Sequence, residues 1–325
     1  MVILLKVDVE LLIQHGDKVY QPAVEEGITW STERKNAPGQ LTFKLVKDSI
    51  INFTEGDAVR MKVNGTGVFY GFVFKKKRDK EQRIQVTAYD QLRYLKNKDT
   101  YVYTNKTASE FIKMVAADFQ MNIGTIEDTQ FKIASRVESN TSLFDMIGNA
   151  LDLTVQNMKY MYVLYDDFGK LTLKGLDEMR LNLLIDEETG ENFDYTSSID
   201  DDTYNRVKLT FDNEKTGKRE VYIAQHGANI NQWGVLQYYD TLKEGENGQA
   251  KADALLDLYN AKTRNLSVKN ALGDVRVRAG SIVVVMLDLG DIQVKNLMLV
   301  EKCKHEFKES QHLMTLTLRG GEFVA

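Results

Sequence analysis

From Ile28 to about Tyr89, apolar and polar residues alternate in short runs: Leu41-Thr-Phe-Lys-Leu-Val, then Val59-Arg-Met-Lys-Val, then Ile84-Gln-Val-Thr-Ala-Tyr. A period of two puts one side of each run in a core and the other toward water, so the runs predict a half-buried antiparallel sheet. Asn64-Gly65 lies between two such runs, and these residues tolerate the positive φ of a tight primed turn, which predicts a hairpin. The period changes after Lys98. Thr107-Ala-Ser-Glu110 has the spacing of a capping box, and Phe111, Ile112, Val115, Ala116 and Phe119 then fall on one helical face. A second amphipathic helix is expected after Thr141 or Ser142, using Leu143, Met146, Ile147, Ala150 and Leu151. Tyr160-Met-Tyr-Val-Leu-Tyr, Asp166-Asp-Phe-Gly and Lys170-Leu-Thr-Leu read as strand, turn and strand.

The last third returns to strand periodicity, with one exception. Between Asn247 and about Thr263 the chain is rich in strong helix formers and carries an apolar face. Strands are expected around that helix at Tyr204–Phe211, Arg219–Ala224, Leu266–Val268 and from Val275 onward. The expected domains are therefore a first β-barrel-like domain over 1–98, an α+β middle domain over 99–203, and a second β-barrel-like domain over 204–325 with an inserted helix near 247–263. The fold class is α+β, mainly β: two similar antiparallel β-barrel-like domains with an inserted α+β middle domain. Only two prolines occur, Pro22 and Pro38, and no Gly/Ser-rich linker separates these parts.

The two β regions repeat one order of elements. Glu55-Gly-Asp precedes the run to Val63, and a glycine-containing turn, Phe69–Phe74, a charged stretch and Ile84–Ala88 follow. Ala279-Gly-Ser precedes the run to Leu287, and a turn around Gly290, Asn296–Glu301, a charged stretch and Leu313–Leu318 follow. Gly56 and Gly280 sit at the same offset before their strands, as a tight turn that excludes Cβ requires. The competing reading is hairpin spacing shared by chance. A true duplication gives each chain two similar β domains, so a threefold assembly presents a quasi-sixfold surface.

Composition narrows the function classes. With 325 residues, 43% hydrophobic and 27% charged, the chain can bury a sizeable core, which excludes wholesale disorder. The longest apolar stretches, such as Ser281–Leu289, are far short of the about 20 residues that cross a bilayer, so no membrane span is expected. Met1–Lys6 has no basic leader and no small-residue cleavage site, and reads as a first strand. A single cysteine, Cys303, excludes an intrachain disulfide framework and multi-cysteine metal sites, in keeping with synthesis in a reducing cytoplasm. The formal charge of −5 argues against free-standing nucleic-acid binding.

No catalytic constellation emerges. None of His15, His226, His305 and His312 pairs at the helical spacing of a zinc protease, although His305 and His312 can meet across the expected last hairpin. Cys303 lies in an expected strand without a nucleophile signature, and no Gly-x-Ser-x-Gly elbow occurs. Gly65-Thr-Gly67 with Gly71 lies between strands, whereas a phosphate loop needs a helix N-terminus. Glu187-Glu188 and Asp200–Asp202 read as solvated acids. No cofactor or metal is expected. The sharpest charge feature is Lys75-Lys-Lys-Arg-Asp-Lys80: either a solvated turn, or a basic hairpin tip whose Lys75, Lys76, Lys77 and Arg78 contact an acidic partner.

One stretch carries a family resemblance. Ala88-Tyr-Asp-Gln-Leu-Arg-Tyr-Leu-Lys-Asn-Lys98, followed by Tyr101-Val-Tyr and Thr107-Ala-Ser-Glu110, resembles the junction in tail hub proteins of contractile phages and PBSX-type defective prophages, near the late control protein D group. Ile28-Thr-Trp-Ser and Pro38-Gly-Gln-Leu-Thr-Phe43 resemble the first β domain of those proteins. The resemblance implies a homotrimer whose two β domains per chain form a quasi-sixfold ring between the sixfold tail tube and the threefold spike. The implied partners are tail tube, spike, baseplate and tape-measure proteins, and the implied place is the baseplate of a phage or phage-tail-like particle. Some members of the group are described as cell-wall hydrolases. The alternatives from other classes are a peptidoglycan hydrolase, which needs a carboxylate pair in a cleft, and a saccharide-binding module, which needs exposed aromatics such as Tyr160, Tyr162 and Tyr165.

Overall fold

Wherever the chain alternates with period two it forms strands, and the question left to the structure is which strands share a sheet. The structure, a computed structural model, describes residues 7–200, 202–213, 216–242, 246–288 and 293–320. The expected first strand at Met1–Lys6 and the expected turn at Gly290 lie outside the described residues.

The chain begins with β1 (Val9–His15), β2 (Lys18–Tyr20), β3 (Val24–Glu33), β4 (Gln40–Val46), β5 (Ala58–Val63), β6 (Thr66–Arg78) and β7 (Arg83–Tyr89). It continues with β8 (Lys98–Lys106), α1 (Ala108–Asp118), β9 (Ile123–Ile126), β10 (Ile133–Ser142), α2 (Leu143–Met158), β11 (Tyr162–Asp166) and β12 (Leu171–Gly175). Then come β13 (Arg180–Ile185), β14 (Asn192–Ser198), β15 (Arg206–Asn213), β16 (Lys218–Gln225), α3 (Gly227–Trp233) and β17 (Gln237–Thr241). The last elements are α4 (Gly248–Tyr259), β18 (Thr263–Leu272), β19 (Ile282–Asp288), β20 (Gln293–Lys308) and β21 (Gln311–Gly320).

A 13-stranded sheet runs in the order β14-β18-β21-β20-β3-β4-β7-β6-β5-β1-β2, with β19 added on β20 and β13 on β19. The fold is mainly β, as expected, and both expected β regions share this sheet because β20 pairs with β3. Among the described residues the sheet does not close into a barrel, and its path ends at β14 and β2. The expected hairpin at Asn64-Gly65 is present: both residues have positive φ, 48° and 80°, and Val63 faces Thr66.

The middle of the chain folds as the helical periodicity requires. In the capping box the Glu110 N–H donates to Thr107 Oγ1 at 3.1 Å and the Thr107 N–H to Glu110 Oε2 at 2.8 Å, closing the N-terminus of α1. Ser142 caps α2. Phe111, Ile112, Leu143, Met146 and Ile147 of the two helices pack with Leu171 and Leu173 of β12.

Two groups of strands sit differently from the expected boundaries. Arg180–Ile185 and Asn192–Ser198, expected in the middle domain, belong to the large sheet. The strands expected around the last helix, β15 and β16, instead form a separate sheet with β17 in the order β16-β15-β17. Helix α4 lies on it, burying Ala252 and Leu255 against Val207, Leu209 and Ala224. Alternation fixes which side of a strand is apolar but not which sheet it joins, and an amphipathic helix draws to itself a sheet with an open apolar face.

Candidate assembly interface

The internal repeat is visible in strand pairing. β5-β6-β7 is an antiparallel meander, with β4 on β7 and β3 on β4. β19-β20-β21 is another, with β18 on β21 and β14 on β18. Gly56 and Gly280 have φ of 92° and 93°, a conformation that side chains at Cβ disfavour. The Gly56 N–H donates to the Val73 carbonyl at 2.8 Å and the Val73 N–H to the Asp57 carbonyl at 2.9 Å. The same two bonds recur where the Gly280 N–H donates to Val300 and the Val300 N–H to Ser281, both at 2.8 Å. The register then slips in both copies one residue later, between Val73 and Lys75 and between Val300 and Lys302. Such agreement in φ, hydrogen bonds and bulge goes beyond hairpin spacing shared by chance.

Counting outward from these anchors aligns the repeats. Val73 faces Ala88, which faces Leu41, which faces Trp30. Val300 faces Leu318, which faces Leu266, which faces Tyr195. Trp30 and Tyr195 are therefore equivalent. The repeats differ at β1, antiparallel on β5, against β13, parallel on β19. They differ also between β14 and β18, where the second repeat inserts β15 to α4.

The seam between the repeats is the β20–β3 ladder, running from Lys302 opposite Glu33 to Phe307 opposite Ile28. Arg34, largely buried, donates from Nε and Nη2 to the Glu301 carboxylate at 2.8 and 2.9 Å. Lys302 pairs with Glu33 at 2.8 Å. On the buried side Trp30 stacks on His305, with ring centroids 4.7 Å apart and planes 17° from parallel.

Beneath that stack lies a closed polar chain. The Val277 carbonyl, which can only accept, is 2.9 Å from His305 Nε2, so Nε2 carries the proton. His305 Nδ1 then accepts from His312 Nε2–H at 2.8 Å, which places the two histidines across the last hairpin as expected. Burial lowers His305 to a pKa of about 3, helped by the His312 ring and the nearby Arg278 and opposed by Asp274 and the Val277 carbonyl. Burial lowers His312 to about 4, against the pull of Asp274. Cys303 Sγ lies 3.0 Å from His305 Nε2, but burial pushes its thiol far up, which leaves no thiolate to act as a nucleophile. Both histidines are neutral when folded and become charged when unfolded. The stability they contribute is therefore complete above about pH 6.5, the ordinary histidine value. It is lost as pH falls toward 4 and 3. Thermal unfolding followed from pH 7 to pH 4 is expected to show a steadily falling midpoint, and the His305→Gln/His312→Gln chain a flatter profile.

A second polar knot ties the large sheet to the middle of the chain. Asp90 accepts from the Gly39 N–H at 2.8 Å and the Leu92 N–H at 3.0 Å. Asp166 accepts from the Gly169 N–H at 2.7 Å and from Gln91 Nε2 at 2.8 Å. Arg278 donates to the Asp166 carbonyl at 2.8 Å and lies over the rings of Tyr165 and Trp30. Burial raises both carboxyl groups, Asp90 strongly and with a further push from the Asp166 charge. Although two buried carboxyls suggest acid–base chemistry, their cavity measures only about 20 Å³, room for one water rather than a sugar.

Lys75, Lys76, Lys77 and Arg78 are not a hairpin tip but the last four residues of β6, facing Thr87 to Ile84, and the turn is Asp79–Gln82. Lys76 donates to the Phe53 carbonyl at 2.6 Å and covers the Phe53 ring, while Lys75, Lys77 and Arg78 are exposed. Gly65, Gly67 and Gly71 belong to the β5–β6 hairpin, where a Cβ on Gly67 would strike the Phe168 ring. Tyr160 and Tyr162 meet edge to face and Tyr165 lies under Arg278, so they form no open sugar platform. Among the described residues no group of three His, Cys, Asp or Glu could hold a metal, and no helix is long and apolar enough to cross a membrane. Sequence reasoning missed Trp30, Arg34, Arg278 and Glu301 as seam residues, because single residues in separate segments of the chain leave no local pattern.

Comparison with known proteins gives this arrangement its context. The YQBQ-like family model matches residues 28–319. YqbQ of Bacillus subtilis is 33% identical over 306 residues, covering 90% of this chain and 91% of that protein. The phage-like element PBSX protein XkdQ of the same organism is 32% identical over 312 residues, covering 92% and 94%. The fold is similar to that of the 43 kDa tail protein of prophage MuSo2 from Shewanella oneidensis, with a TM-score of 0.71, 12% identity and coverage of 95% of this chain and 98% of that one. The resemblance to PBSX-type tail proteins is borne out by these matches. With residues 28–319 matched and two curated relatives sharing about a third of their residues along nearly the whole chain, the protein belongs to the YQBQ-like family.

Proposed function

We propose that this chain is a structural tail hub: a trimer whose two repeats per chain form a quasi-sixfold ring between a sixfold tail tube and a threefold spike. The observation that carries the reading is the internal repeat, two like halves of one sheet joined by one seam, because three copies then supply six like units. The relatives support a role in a tail, since one is named as a PBSX protein and a similar structure is a prophage tail protein. On this reading the chain is made in the bacterial cytoplasm and built into a baseplate. It binds tube, spike and neighbouring baseplate proteins and leaves a lumen for the tape-measure protein. Its work is geometric rather than catalytic, in keeping with a buried cysteine and a carboxyl pair closed in a small cavity. The basic strand Lys75–Arg78 belongs to the assembly surface.

Mixed with the tube and spike proteins of its own particle, the chain is expected to elute with both in one complex, at three copies per spike trimer. Elution apart from both contradicts the hub reading. Clearing of purified cell wall by the isolated chain would contradict the non-enzymatic part.

A further inference from the structure

We propose that the open edge of β6 at Lys75–Arg78 pairs with the open edge of β14 from a second copy of this chain, in the register that β20 and β3 use within one chain. The proposal rests on the trimeric ring and adds the contact that closes it.

The in-chain seam is the template. There the second repeat offers Lys302–Phe307 of β20 and the first offers Ile28–Glu33 of β3. Aligning Val73 with Val300, and Trp30 with Tyr195, makes Lys75–Arg78 the equivalent of Lys302–His305 and Tyr195–Ser198 the equivalent of Trp30–Glu33. Both equivalents are open among the described residues. β14 ends the sheet, and β5 leaves β6 at Phe72, opposite Ala58, so no strand lies along that edge beyond it. Open edges of this kind are templates for pairing with another chain. Because the two edges differ, copies join head to tail, and in-chain and between-chain seams alternate around the ring.

Transferred register places Lys75 opposite Ser198, Lys77 opposite Thr196 and Arg78 opposite Tyr195, with the turn that starts at Asp79 beyond them. The chemistry agrees. Where His305 stacks on Trp30 within the chain, a guanidinium meets a tyrosine ring between chains, a favourable cation–π pair. Lys77 has Asp194 as its diagonal neighbour, and β14 carries one acid and no base. Four cations in a row also keep β6 from pairing with another β6.

A disulfide tests the register. The Arg34 N–H donates to the Glu301 carbonyl, which sets the phase of the ladder and makes Ser31 and Lys304 a non-hydrogen-bonded pair. Their equivalents, Thr196 and Lys77, then hold their Cβ atoms close enough to bridge, and both are exposed. β6 and β14 are not neighbours within one chain, and Cys303 is buried. Oxidised K77C/T196C is expected to give covalent dimers and trimers that reductant dissolves, while each single variant stays one chain long. A chain that light scattering shows to be trimeric but that yields no such products overturns the edge pairing and leaves the ring. A chain monomeric at every concentration, and unlinked even with spike protein present, overturns both. Arg78→Glu is expected to weaken association about tenfold or more, and unchanged association counts against the pairing.

Discussion

Replacing Trp30 with alanine is expected to lower the unfolding free energy by about 3–5 kcal/mol, the usual cost of emptying a buried tryptophan site. Trp30 is 2% exposed and sits on the buried side of the seam, stacked on His305 and covered by Arg278. Removing it leaves a cavity between the two repeats and strips cover from the histidine chain beneath. Trp30→Tyr, which installs the residue found at the equivalent place in the second repeat, is expected to lose a smaller part of that stability. Urea unfolding followed by far-UV circular dichroism reads both. A Trp30→Ala chain within about 1 kcal/mol of the parent, the level of an ordinary surface change, would contradict a seam held by this stack.

The second large effect is a contrast between equivalent glycines. Gly56→Ala and Gly280→Ala force the same positive φ on a side chain, at a cost of about 1–3 kcal/mol each. At Gly56 the new methyl group meets open space, whereas at Gly280 it strikes the buried Val163 side chain of β11. Overpacking adds about 1–3 kcal/mol there. Gly280→Ala is therefore expected to be the more damaging, with its excess reduced by Val163→Ala in the same chain. Equal losses at the two positions would mean that the Val163 contact carries no weight.

The elements with strong local signals were legible in the sequence, and their partnerships were not. The capping box at Thr107, the turn at Asn64-Gly65 and the helix after Asn247 each rest on a few adjacent residues, and each stands where the pattern puts it. The repeat was also legible, through Gly56 and Gly280, because a backbone turn at positive φ leaves a glycine behind. What was not legible is set by long-range packing. Arg180–Ile185 joins the large sheet by parallel pairing with β19, and Arg206–Asn213 leaves that sheet to lie under α4. Neither choice changes the apolar alternation of the strand itself. The seam pair Arg34 and Glu301 is 267 positions apart in the chain, so no spacing rule could find it. Lys75–Arg78 stood out as charge, but its place as an open strand edge rather than a turn needed the register of β6 against β7.

As a hub, three chains with two repeats each make one ring of six. The most direct test is electron cryo-microscopy of the chain bound to its spike protein, averaged in end-on view without imposed symmetry. The account predicts three chains and six lobes at near-equal spacing, alternating slightly in shape as the insertion at β15 to α4 recurs on every second lobe. Any other number of chains, or three lobes with the second repeat lying off the ring, would contradict it.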